Sequence, residues 1–131
     1  MIHQEITEQI LSSFYKVYNT LGYGFLEKVY ENALTLELRV KNLDVEQQYN
    51  LKVFYKDQEV GSYFADLIVD QKIVIELKAA ESICPEHKCQ LINYLKATQI
   101  EIGLLLNFGK KAEFSRVIFT KDKKDKRIEH G

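Results

Sequence analysis

The stretch Tyr63-Phe64-Ala65-Asp66-Leu67-Ile68-Val69-Asp70-Gln71-Lys72-Ile73-Val74-Ile75-Glu76-Leu77-Lys78 decides how this chain is read. Its two apolar runs, residues 60–69 and 72–78, predict β-strands joined by a tight turn around Asp70-Gln71. A buried strand favours apolar side chains, so acidic residues inside one need a reason. Glu76 and Lys78 are two apart and emerge on one face of their strand. Register decides whether Asp66 joins them. A two-residue loop would pair Val69 with Lys72 and Asp66 with Ile75, leaving Asp66 and Glu76 on opposite faces. A three-residue loop, or one bulge, pairs Asp66 with Glu76 and puts both on one face. We expect the odd register.

Two carboxylates a few ångströms apart repel until a metal ion or a proton sits between them. Their hard oxygens suit Mg²⁺ or Mn²⁺, which hold a phosphate oxygen and lower the pKa of bound water. Lys78 beside such an ion can orient the attacking water or stabilise charge on phosphorus. The spacing Asp-x9-Glu-x-Lys therefore suits phosphodiester hydrolysis. As a bare pattern it is weak, and a surface salt-bridge ladder is the alternative.

Outward from this pair of strands, residues Ile6, Ile10, Phe14, Val17 and Leu21 recur at intervals of three and four and predict a helix over 4–20, stopped by Gly22. A second helix follows over about 26–41, with Leu26, Val29, Tyr30, Ala33, Leu34 and Leu38 as its apolar stripe. From Val45 to Tyr55 the period falls to two, predicting a strand with one wetter face, and residues 56–59 form a polar turn. Pro85 opens a helix to about Ala97. Short strands over 100–107 and 114–120 flank Gly109-Lys110-Lys111. The order is ααβββαββ, an α+β domain whose mixed sheet is flanked by helices. We expect one domain over 1–120 and a charged tail, Lys121-Asp-Lys-Lys-Asp-Lys-Arg127, within 121–131.

The Asp66 / Glu76-x-Lys78 pattern on successive strands, with a helix before and after, resembles the PD-(D/E)XK nuclease superfamily. More narrowly, Gly24-Phe-Leu-Glu27-Lys-Val-Tyr30 resembles the signature of the small GxxExxY proteins. The resemblance spans about residues 5–120 and implies a restriction-endonuclease-like core. It makes Asp66 and Glu76 the metal-binding carboxylates, Lys78 the catalytic lysine and Glu27 a further, helix-borne metal or water contact. Gln90-Leu-Ile-Asn-Tyr94 resembles the Gln-x-x-x-Tyr element of the RecB-like branch, whose two residues support the site and the nucleic-acid strand. Ala65 stands where the superfamily often has proline before Asp66. An iron–sulfur variant needs four cysteines, and this chain has only two.

The same residues have plainer readings. Glu27 in a first helical turn is favoured by the helix dipole alone, and Tyr30 reads as a packed aromatic whose hydroxyl holds a carboxylate. Glu27 and Glu31, four apart, share a helix side. Gly22 and Gly24 shape the turn between helices. Gln90 and Tyr94 are four apart and point the same way, as exposed polar helix positions often do. His87 is either a titratable neighbour of the cleft or a capping residue. Cys84, His87 and Cys89 lack the second ligand pair of a structural zinc site and read as reduced thiols beside a histidine. The alternating aromatic and basic residues over 49–55 suit base stacking, but no base-reading residue is assigned.

Composition bounds the rest. With 131 residues, 46% hydrophobic and 28% charged, the chain has the balance of one globular domain. Its net charge of −1 argues against a nucleic-acid coat protein. No apolar run approaches the roughly 20 residues of a membrane span, and the polar start is neither a secretory signal nor a transit peptide. We therefore expect a cytoplasmic Mg²⁺- or Mn²⁺-dependent nuclease, with nucleic acid as partner and DNA before RNA. The rival expectation is a catalytically inactive or accessory binding module on the same fold. In either case dimerisation, or the basic tail, would supply hold on a polyanion.

Overall fold

A computed structural model describes residues 2–120; the charged tail expected over 121–131 lies outside the described residues. The elements run α1 (Gln4–Leu21), α2 (Glu27–Val40), β1 (Val45–Tyr55), β2 (Gln58–Val69), β3 (Ile73–Lys78), α3 (Pro85–Lys96), β4 (Ile102–Phe108) and β5 (Ala112–Ile118). The five strands form one sheet in the order β1-β2-β3-β4-β5. Only β3 and β4 are parallel, joined through α3; the other pairs are antiparallel. The α+β architecture expected from the sequence is thus present.

Two apolar layers cover the sheet. On one face Ile10, Phe14 and Val17 of α1 and Tyr30, Leu34 and Leu38 of α2 pack with Leu67, Val69, Ile73, Ile75, Leu104 and Leu106. On the other, Leu91, Tyr94 and Leu95 of α3 pack with Ile68, Val74 and Leu105. Burying a side chain of this size is worth about 1.5–3 kcal/mol, so both layers hold the central strands firmly.

Several boundaries move from their expected places. β2 begins at Gln58 rather than Val60, because Lys56 and Asp57 both take positive φ (50° and 63°) and close a two-residue hairpin on Tyr55↔Gln58. β4 and β5 begin two residues later and earlier respectively, since the ladder closes on Phe108↔Ala112 around Gly109-Lys110-Lys111. The stripe of α2 is also rotated. Leu26 and Val29 are exposed, and the buried positions are Tyr30, Glu31, Leu34, Thr35 and Leu38.

Candidate functional site

The turn between β2 and β3 sets the register. Asp70 and Gln71 take positive φ (51° and 55°), and the ladder closes on Val69↔Ile73, Ile68↔Val74 and Leu67↔Ile75. Three residues therefore form the loop, the odd register expected from the sequence. The next step along it brings Asp66 level with Glu76. There the strands stop exchanging backbone bonds and each borrows the other's carboxylate. The Asp66 amide donates to Glu76 Oε1 at 3.3 Å, and the Leu77 amide donates to Asp66 Oδ2 at 2.8 Å. Two backbone donors are thus satisfied by two acidic side chains, which fixes both carboxylates in the gap between the strands.

The alternation of β1 and β2 breaks at the same level. Val45, Leu67 and Val69 belong to the layer under α1 and α2, whereas Leu51 and Ala65, of the same parity, belong to the layer under α3. The β1–β2 ladder passes from Gln47↔Leu67 to Tyr49↔Ala65, and Gln48, opposite Asp66, has φ 52°. The unbroken alternation expected for 45–55 is therefore incorrect. A left-handed residue turns the hairpin over at Gln48, and Asp66 sits at the turning point.

Glu76 is 8% exposed. Burial first, and the charge of Asp66 second, push its pKa from 4.5 up to about 8. Asp66 is raised as well, mainly by burial, against the lowering effect of the Leu77 amide and the Gln48 side chain. Burial and mutual repulsion thus favour a proton on the pair where no cation is bound. Lys78, partly buried at the end of β3, lies close enough to favour the Glu76 carboxylate. Tyr94 of α3 stacks on Tyr63 of β2 with ring centroids 4.0 Å apart. Burial first and the negative charge of Glu76 second raise both phenols, Tyr63 to about 12. Tyr94 is therefore the α3 residue that senses the carboxylate site, whereas Gln90, one helical turn earlier, is exposed.

Beyond Lys78 the strand end is clamped. The buried Asn107 side chain, on the β4 residue paired with Lys78, accepts from the Ala80 amide and donates to the Ala80 carbonyl, both at 2.9 Å. Gly109 closes the same contact, because a Cβ there would lie 2.3 Å from the Ala80 oxygen. Sequence reasoning missed Asn107; a polar residue within the apolar run Leu104-Leu105-Leu106-Asn107-Phe108 was the available signal.

Other expected residues lie elsewhere. Glu27 is exposed at the first residue of α2, lining a cleft of about 320 Å³ with Tyr23, Phe25, Ala79, Glu81 and Lys110. The structure does not gather it with Asp66 and Glu76: among the described residues no three His, Cys, Asp or Glu side chains are grouped to hold a metal ion. The acid of α2 that reaches toward Asp66 is Glu31, 3% exposed. Its Oε1 accepts from Gln48 Nε2 at 2.7 Å, and that same nitrogen donates to Asp66 Oδ1 at 3.3 Å. The signal was present, since Glu31 lies at the helical spacing of Tyr30, Leu34 and Leu38. Tyr30 does not hold a carboxylate as expected. Its buried hydroxyl donates to the Gly22 carbonyl at 2.7 Å and accepts from the Phe25 amide at 3.2 Å, pinning the turn between α1 and α2. Gly22 and Gly24 in that turn have φ 69° and 110°, as their expected role requires. His87 Nδ1 accepts from the Cys84 amide at 3.4 Å, at the start of α3, the capping alternative.

The donor set fits Mg²⁺ or Mn²⁺ in one specific way. These ions are often held by one or two carboxylates, with substrate phosphate and water completing the shell. Asp66 and Glu76 supply such a pair, held together at an energetic cost that positive charge would relieve.

Comparison with known proteins agrees with this fold. Residues 4–117 match the model of the PD-(D/E)XK nuclease superfamily. The crystal structure of SSO0001 is similar in fold, with a TM-score of 0.54 at 21% identity over 75% of this chain. The match covers 52% of that chain, about half its length. No curated protein matches. Among the described residues no helix is long and apolar enough to cross a membrane.

Proposed function

Given that this chain belongs to the PD-(D/E)XK nuclease superfamily, we propose that it is a divalent-metal-dependent nuclease hydrolysing phosphodiester bonds of nucleic acid. The observation that carries the reading is the reciprocal lock of Asp66 and Glu76 between parting strands, with Lys78 two residues on.

Asp66 and Glu76 would hold Mg²⁺ or Mn²⁺, which when bound supplies charge for a phosphate oxygen and acidifies a coordinated water. The protein's own share is positioning. The backbone amides of Asp66 and Leu77 keep the carboxylates from swinging away, and Asn107 fixes the strand end that carries Lys78. The Lys78 ammonium is a point charge with three donors. At the scissile phosphate it orients the attacking water and offsets the negative charge that builds on the phosphoryl oxygens. Tyr94, stacked on Tyr63, shields the carboxylates on the α3 side.

The Gly24–Tyr30 signature supports, in our reading, a chain of the GxxExxY type. The Gln90-x-x-x-Tyr94 spacing on α3, with Tyr94 close enough to Glu76 to feel its charge, supports a RecB-like arrangement of α3. The unpaired thiols of Cys84 and Cys89 suit a reducing, cytoplasmic setting.

The test is a cleavage assay with Mn²⁺ on single- and double-stranded DNA and RNA, with Lys78→Ala as control. Cleavage by the wild type, lost in Lys78→Ala, supports the reading. Equal cleavage by both removes Lys78 from the chemistry. No cleavage of any substrate favours the binding module.

A further inference from the structure

The nuclease reading leaves Gln48 unexplained. Gln48 has φ 52°, a conformation that costs a side-chain-bearing residue energy and that glycine would adopt freely. It sits where the β1–β2 ladder skips a pairing and the hairpin turns over. A position needing only that backbone shape would be served better by glycine. The side chain shows what the strained position supplies. Its Nε2 lies 2.7 Å from Glu31 Oε1 and 3.3 Å from Asp66 Oδ1. A primary amide has two N–H donors on one nitrogen, so Gln48 bridges two carboxylates that would otherwise repel.

The far side of the bridge is anchored. Glu31 Oε2 accepts from Gln47 Nε2 at 2.7 Å and from Lys28 Nζ at 2.9 Å. Gln47 Nε2 also donates to Asn32 Oδ1 at 2.8 Å. Asp66 itself is held on Oδ2 by the Leu77 amide. One oxygen of Asp66 is therefore fixed by the backbone of β3, and the other is tethered, through Gln48, to a buried acid of α2.

We propose that Gln48 is a positioning residue. Its amide bridges Glu31 and Asp66 and sets the plane in which Asp66 presents its carboxylate to a divalent cation. Glu31 is the anchor that orients the amide. The proposal rests on the nuclease reading for its consequence, but the bridge is a property of the metal-free protein. Removing partners that orient a metal ligand costs about 10–100-fold in metal affinity or activity.

The experiment uses the full chain and four variants: Gln48→Gly, Gln48→Asn, Glu31→Gln and Asp66→Asn. In metal-free wild type, the Gln48 side-chain amide protons give an exchange-protected pair in ¹H–¹⁵N spectra, and both Glu31→Gln and Asp66→Asn move it. Gln48→Gly suits the left-handed backbone and removes only the side chain. It folds with the wild-type circular dichroism spectrum, binds Mn²⁺ about tenfold more weakly by calorimetry, and loses kcat more than KM. Should Gln48→Gly fail to fold, Gln48→Asn replaces it; asparagine tolerates this backbone and is one methylene too short to span both acids. An unprotected amide pair, unmoved by either acid variant, overturns the bridge. Wild-type Mn²⁺ affinity and kcat in Gln48→Gly overturn its role. A wild type that neither takes up Mn²⁺ nor cleaves overturns the nuclease reading, and the positioning role with it, even if the amide pair is protected.

Discussion

Replacing Glu76 by glutamine isolates the electrostatic cost of the carboxylate pair. Glu76 is buried, and burial together with Asp66 raises its pKa from 4.5 to about 8. A folded-state pKa above the unfolded value means that the native protein holds a proton the unfolded chain has released. Between about pH 4.5 and 8 the metal-free protein must therefore lose stability as pH rises, with a limiting slope of about 1.4 kcal/mol per pH unit. Asp66 is raised too and acts in the same direction. From pH 5.5 to 7.5 the wild type should lose about 2–3 kcal/mol through this pair. In Glu76→Gln the amide oxygen can still accept from the Asp66 backbone, and no proton is needed. Urea denaturation in EDTA, run on both proteins across this range, gives the difference directly, because titrating groups not coupled to Glu76 cancel. The variant should match the wild type near pH 5 and exceed it by about 2–3 kcal/mol at pH 7.5. Parallel stability curves, or a variant less stable at pH 7.5, would refute the reasoning.

Three further outcomes follow from the same geometry. Lys78→Ala should lower kcat by about 10²–10⁴-fold while leaving the circular dichroism spectrum unchanged; cleavage rates with Mn²⁺ check it. Gly109→Ala drives a Cβ against the Ala80 carbonyl and should cost about 1–3 kcal/mol. In Gly103→Ala the clash is with the Leu91 side chain rather than with backbone, so the cost is smaller; urea midpoints of the two variants rank them. Tyr30→Phe keeps the stack on Phe108, with centroids 4.1 Å apart, but loses both hydroxyl bonds to the turn. It should cost about 1–2 kcal/mol and make the turn over residues 22–25 more sensitive to limited proteolysis.

The parts of the site legible in the sequence were those that depend on strand parity and turn length. Asp66 and Glu76 are ten residues apart, and only an odd loop brings them level, so a chemical reason for pairing them selects the register. Parity fails where a strand turns over. Nothing in Val45-Glu-Gln-Gln48-Tyr announces that Gln48 takes a left-handed conformation, because glutamine has no special tendency to do so. Glu31 was hidden for another reason. The apolar residues Leu26 and Val29 drew the stripe of α2 one step away from its buried face, where Glu31 and Thr35 lie among Tyr30, Leu34 and Leu38. A buried acid on an amphipathic helix is read as a flaw in the pattern until its partners are seen. Asn107 likewise interrupts an apolar strand, and only its pairing with Lys78 and its two bonds to Ala80 show why.

The central claim is that Asp66 and Glu76 together take up a divalent cation in place of a shared proton. Calorimetric titration of Mn²⁺ into the wild type at about pH 7, in two buffers of different ionisation enthalpy, measures binding and proton release at once. The account predicts saturable uptake with release of up to about one proton, lost in an Asp66→Asn/Glu76→Gln double variant that keeps its fold. Uptake that persists unchanged in the double variant, or no uptake by the wild type, would contradict it.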